Sequence, residues 1–206
     1  MLQKKNEKPV LTGWFYTNNM ESTKVTVERR ILEAAREEFA QYGLAGARVD
    51  RIARGASTSK DRIYAHFSDK VALFQAVLDL NVQDFFESVT LRADDVVQFV
   101  ADLFDHSVEN PDHLRVLTWA RLEGFQYELD TKVASMKVAA IAEAQERGLV
   151  DPAWEPAILL ELLFAIGHSG AQSPGPRTPL LDKTLAPAFK RGAVEAASRL
   201  IAPRQH

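Results

Sequence analysis

The chain has 206 residues, 46% of them hydrophobic and 26% charged, with a net charge of −3 and no cysteine. That length and balance suit one large or two small globular domains with a real core, and the lack of cysteine excludes disulfides, iron–sulfur clusters and thiolate zinc sites. No apolar run approaches the roughly 18 residues of a membrane span, and Leu11–Tyr16 is too short and broken for a signal peptide, so cytoplasmic residence is expected.

Residues 1–25 mix Lys, Asn, Thr and Gly without a sustained period and read as a disordered arm, with a basic extension that touches nucleic acid as the alternative. The first helix is predicted over Val27–Tyr42, capped by Thr26 and stopped by Gly43. Ile31, Ala34, Ala35, Phe39 and Tyr42 form its apolar stripe. A short helix over Val49–Gly55 turns Val49, Ile52 and Ala53 to the same core, with Asp50 and Arg54 as an i,i+4 pair. Ala56–Ser59 make a turn, and a third helix follows to His66, with Ile63, Tyr64 and Phe67 as core and near-core anchors. Helices this short are marginal alone and need a longer neighbour.

Ser68 is expected to cap a long helix over residues 69–90. Further helices are predicted from Asp94 or Asp95 to near Asn110, from Pro111 through Phe125, over Leu129–Arg147 with Gly148 as its stop, over Pro156–Gly170, and over Leu181–Ile201. A Pro/Gly loop covers Ser173–Pro179, and Pro187 bends or restarts the last helix. No stretch alternates long enough for a sheet, so the expected fold is all-α with about nine helices.

Two short helices across a tight turn, braced by a longer one, describe a helix-turn-helix. Its second helix must enter a major groove, so its outer face should be small, polar or cationic. Ser57, Thr58, Ser59, Lys60, Asp61, Arg62 and Ala65 meet that demand, and Ser59 can cap the helix beside a phosphate. Residues 47–70 hold six basic against three acidic groups, whereas residues 71–206 hold twelve against nineteen. A basic head on an acidic body suits a protein that offers one end to phosphates.

The residues themselves carry a more specific signal. Ile31, Ala34-Ala35, Phe39 and Gly43 are followed by Gly46, Val49, Ile52-Ala53 and Ala56. Ser59-Lys60, Ile63-Tyr64, His66-Phe67, Lys70 and Leu73-Phe74 then complete a gapless pattern of about fifty residues. On these residues Thr26–Leu78 resembles the N-terminal domain of the tetracycline-repressor (TetR) family of regulators. The resemblance implies phosphate contacts from Tyr64 and Lys70, a place near the backbone for His66, and base or phosphate contacts from Lys60 and Arg62. Arg48 stands where the family often has a capping hydroxyl, and it can donate to a phosphate instead. Ser57-Thr58 replaces the usual Gly-Val, which strains Ser57 if the turn keeps a positive φ. Asp61 either accepts from a cytosine or caps locally.

Beyond the arm over 1–25, the resemblance implies a DNA-binding domain over 26–68 with its linking helix reaching about residue 78, and an effector-binding and dimerisation domain over 69–202. A homodimer would read palindromic double-stranded operator DNA, paired through the last two helices, where Leu159, Leu162, Leu163, Ile166 and Gly170 face Val194, Ala197 and Leu200. A small-molecule effector would lie among Phe104, Leu117, Trp119, Leu122 and Glu123, together with Phe125, Met136, Phe164 and His168, and would release DNA. Core packing is the alternative for each of these positions, and an activator or an effector-independent architectural protein is the alternative for the whole. The five histidines lack metal-ligand spacing, and no phosphate loop or nucleophile elbow occurs. No cofactor, metal or catalytic residue is therefore expected.

Overall fold

A computed structural model describes residues 27–125, 131–169 and 186–203, with the side chains of 87 and 131–133 outside that description. The proposed arm, Thr26, the Ser173–Pro179 loop and Gly170 lie outside the described residues. Those described form nine α-helices and no strand: α1 Val27–Gly46, α2 Val49–Gly55, α3 Lys60–His66, α4 Lys70–Ser88, α5 Val96–Glu109, α6 Pro111–Leu122, α7 Thr131–Glu146, α8 Pro156–His168 and α9 Ala186–Ile201. Among them no helix is long and apolar enough to cross a membrane.

The apolar stripe of α1 buries Ile31, Leu32, Ala35, Phe39 and Ala40. Gly43 interrupts the helix with φ 64 and ψ −179, and one further turn carries it to Gly46. A Cβ at Gly43 would lie 2.7 Å from both Trp119 of α6 and Glu123 just after it, so the break needs glycine for its φ and for its neighbours. Helix α4 is capped by Asp69, not Ser68: the Asp69 carboxylate accepts from the Ala72 N–H at 2.8 Å. An ionised acceptor at a helix N-terminus gains from the helix dipole, and Ser68 is left to hydrogen-bond Asp69. Helix α9 is described over Ala186–Ile201 and includes Pro187.

Two cores result. The first joins α1, α2, α3 and the N-terminal part of α4 around Phe39 and Phe74, whose rings meet edge to face at 4.9 Å, and it reaches Val116 and Ala120 of α6. The second gathers α5, α7, α8 and α9 around Phe99, Leu103, Ile141, Leu159 and Leu163. At the α5–α8 crossing a Cβ on Gly167 would stand 2.6 Å from Leu103, so this glycine sets how closely the helices approach. Helix α4 runs through both cores. Its Asp84 accepts from Arg29 at 3.2 Å and from Arg36 at 2.5 Å, tying it to α1, and its Asn81 donates to the His113 carbonyl of α6 at 3.3 Å.

Candidate nucleic-acid interface

Helices α2 and α3 meet through a turn whose backbone closes on α2: Ala56 N–H donates to Ile52, Ser57 N–H to Arg54 and Thr58 N–H to Ala53. Ser57 has φ 50, the one positive φ outside glycine among the described residues. The turn keeps its positive φ, so Ser57 bears the strain, at a cost of about 1–2 kcal/mol. Ser57→Gly is expected to raise stability by roughly 0.5–1 kcal/mol, after glycine's larger unfolded-state entropy is counted. A thermal melt a few degrees above wild type checks this.

Ser59 caps α3, its Oγ accepting from the Arg62 N–H at 3.2 Å. Ile63 and Phe67 anchor the helix in the first core, whereas Lys60, Asp61, Arg62, Ala65 and His66 are exposed. Tyr64 keeps 42% of its surface in solvent, on the same exposed face of α3. Thr58 is half-buried beneath them. Lys60 pairs with Asp50 across the turn at 3.3 Å, so Asp50 serves Lys60 and not the expected Arg54. The turn brings the α3 N-terminus closer to Asp50 than helical spacing alone suggests. Arg62 has no acidic partner among the described residues, which leaves its five donors available to an incoming acceptor. Lys70, half-buried, donates to the carbonyls of Ala45 and Ala47 at 3.3 and 3.1 Å.

Arg48 caps α2 in position but not by its side chain, which is exposed. Its N–H donates instead to Glu38 at 2.8 Å, and Glu38 also accepts from Arg51 Nε at 2.8 Å. Arg51 in turn donates to the Gly46 carbonyl and lies 4.2 Å over the Tyr42 ring. Glu38 and Arg51 thus fix α2 to α1, and sequence reasoning missed both. The signal was available: Glu38 follows Ile31 and Ala35 at helical spacing and so falls on the buried stripe. Burial, the largest single influence, pushes the Glu38 carboxyl upward, but the bonds from Arg51 and Arg48 and both guanidinium charges together hold it below its ordinary value. A carboxyl lowered in the folded state stabilises the fold above its unfolded pKa, and that stability is lost as pH falls through the folded value. Glu38→Ala is expected to cost about 1–3 kcal/mol at pH 7 by leaving the partly buried Arg48 N–H and the Arg51 guanidinium without their carboxylate. The gap from wild type should narrow in denaturant titrations below about pH 4.

The nine residues expected around an effector do not converge. Leu117 and Phe125 pack on the first core, while the Trp119 indole donates to the Ala40 carbonyl at 3.2 Å. Glu123 accepts from the Leu44 N–H at 2.9 Å, and Arg115 Nε also donates to Ala40. Helix α6 lays this face along α1 because the Gly43 break exposes backbone groups that need partners. Leu122 and Met136 are 71% and 64% exposed. Only Phe104, Phe164 and His168 belong to the second core or its margin, where Phe164 and His168 stack at 5.9 Å beside Phe85.

The expected pairing face divides as well. Leu159, Leu163 and Ala197 are wholly buried in the chain's own core, so they have no surface to offer a partner. Val194 and Leu200 are half-buried. Leu162 and Ile166 line an open, apolar groove of about 680 Å³ between α8 and α9, with Ala165, Phe189, Gly192 and Ala196.

Two family models match the chain. One, bacterial regulatory proteins of the tetR family, covers residues 31–77, and the other, the tetracyclin repressor-like C-terminal domain, covers residues 95–199. The HTH-type transcriptional repressor SCO4008 of Streptomyces coelicolor is 39% identical over 144 residues, which are 68% of this chain and 75% of that one. The regulator UidR of Escherichia coli K12 is 36% identical over 61 residues, or 30% of this chain and 31% of its own. The crystal structure of SCO4942 from Streptomyces coelicolor superposes with a TM-score of 0.73 at 35% identity, covering 87% of this chain and all of that one.

Proposed function

We propose, from the premise that the chain belongs to the TetR family of helix-turn-helix transcriptional regulators, that it is a cytoplasmic repressor that grips palindromic operator DNA as a homodimer. It acts by binding, not by catalysis. Residues 27–68 form the reading head and residues 69–202 the body that pairs and receives a small molecule. The observation that carries this reading is the outer face of α3, where an unpaired Arg62, a loosely held Lys60 and an exposed Tyr64 stand together above an anchored Ile63. Arg62 reads a base edge, while Lys60, Tyr64, His66, Arg48 and Lys70 engage the backbone, with Thr58 and Ser59 at the phosphate-facing helix start.

One α3 offers too little surface for a tight, specific site, and a two-fold pair doubles it. The α8–α9 groove supplies the pairing face: its exposed residues are small or apolar, and α8 and α9 present no charged side chain to it. Release follows from the contacts of α6. Arg115 and Trp119 hold the Ala40 carbonyl and Glu123 holds the Leu44 N–H, so a displaced α6 moves the segment that leads into α2. A ligand that favours that displacement shifts the population away from the spacing that fits successive grooves.

Selection from random duplexes tests the proposal. The expected product is an inverted repeat with half-sites about 10–10.5 base pairs apart, or a multiple of that. Enrichment of no motif, or of a single asymmetric half-site, would overturn it.

A further inference from the structure

Lys137 of α7 is only 6% exposed, deep in the second core. Its Nζ donates to the carbonyl of Val89, the residue that ends α4, at 2.7 Å. The remaining faces of the ammonium lie over the rings of Phe86 and Phe99, at 5.4 and 5.0 Å from their centroids. An ammonium carries three donors, and here one of them has an oxygen acceptor. No carboxylate among the described residues forms an ion pair with it. Methionine or leucine would fill the same space without bringing a charge out of water. Burial lowers the Lys137 pKa to about 8, which still leaves the amine mostly protonated at pH 7.

The surroundings give the second half of a site. Phe86 touches Phe85 at 5.4 Å, Phe85 touches Phe164 at 5.9 Å, and Phe164 packs on Phe99 at 5.4 Å and on His168 at 5.9 Å. These rings come from α4, α5 and α8 and form one continuous apolar wall beside the ammonium. Phe85, Phe86, Phe164 and His168 are half-buried, so the wall extends from Lys137 towards solvent. An internal cation with a single oxygen acceptor among the described residues, beside a run of rings whose margin is half-exposed, is complementary to an anion on an apolar body.

We propose that Lys137 anchors the effector and that the effector is a hydrophobic carboxylate, its oxygens on the ammonium and its body among Phe85, Phe86, Phe99 and Phe164. Because Lys137 also holds the end of α4, a carboxylate there competes with the Val89 carbonyl and loosens the helix shared by both cores. The inference rests on the ligand-released reading, and it names the chemistry of that ligand.

The test uses the full chain with 2-naphthoate and decanoate, each against its uncharged carboxamide, in calorimetric titrations and thermal melts. Each carboxylate is expected to bind at least tenfold more tightly than its amide. Lys137→Met should abolish that preference, and Lys137→Arg should retain part of it. Equal helical content and a cooperative melt show that both variants fold, and Lys137→Arg, which can still donate to Val89, should also keep operator binding. Equal binding of acid and amide, undiminished carboxylate binding by the Met variant, or no binding by either acid would each overturn the proposal. Carboxylate binding that leaves operator affinity unchanged would support the site while contradicting release. Operator release by an uncharged compound alone, with neither acid bound, would sink the site and spare the release reading.

Discussion

Gly192→Glu is expected to yield a folded monomer whose operator affinity falls by roughly a hundredfold or more, since a buried, unpaired charge costs about 3–5 kcal/mol. The position separates pairing from folding. Gly192 is exposed on α9, and a Cβ there meets no atom within 4 Å, so the single chain has room for a larger side chain. Replacing a mid-helix glycine should even favour α9 by about 0.5–1 kcal/mol. In a pair that closes over the α8–α9 groove, the same carboxylate is trapped between apolar surfaces, once from each copy. Sedimentation should show a dimer for wild type and a monomer for the variant, with equal helical content. A variant that remains dimeric would move the pairing face elsewhere.

Arg62→Ala is expected to cost about 1–3 kcal/mol of binding in each half-site, roughly five- to 150-fold for each of the two, with the loss confined to one base pair in each. Its guanidinium meets no acid among the described residues, so removing it breaks nothing within the protein. Lys60→Ala should behave differently. Lys60 must leave Asp50 before it can meet DNA, so its net contribution is smaller and falls on all sequences alike. The salt dependence of binding separates the two, because each lost phosphate contact flattens the slope by about one. Lys70→Ala combines effects: it removes a cation and also frees the carbonyls of Ala45 and Ala47 that position the α1–α2 junction.

The elements that pack on themselves were legible from sequence. Val49–Gly55 and the third helix ending at His66 could be read because Ile52, Ile63 and Phe67 repeat at helical spacing, and turn chemistry separates them. Ser57 in a glycine's place signals strain only if the turn keeps a positive φ, and the turn does keep it. What escaped was chemistry that depends on two distant segments. Nothing around Glu38 announces Arg48 and Arg51 as its partners, since α1 and α2 meet only after the Gly43 break redirects the chain. Trp119 and Glu123 sit among aromatic neighbours and read as pocket residues, yet α6 turns them to unpaired backbone groups on α1. Lys137, in a run of small and apolar residues on α7, looks like a solvated charge until α4 and α5 close over it. Leu159 and Leu163 read as pairing residues because apolar periodicity is the same for a helix's inner face and a partner's face.

The measurement that bears most directly on the central claim is operator binding by a chain with Lys60, Arg62, Tyr64 and Lys70 all replaced by alanine, compared with wild type across a salt titration. The variant is expected to keep its helical content and dimeric state but to bind the selected operator no better than random duplex. An unchanged affinity and salt slope would contradict it, and the outer face of α3 would no longer be where this protein meets DNA.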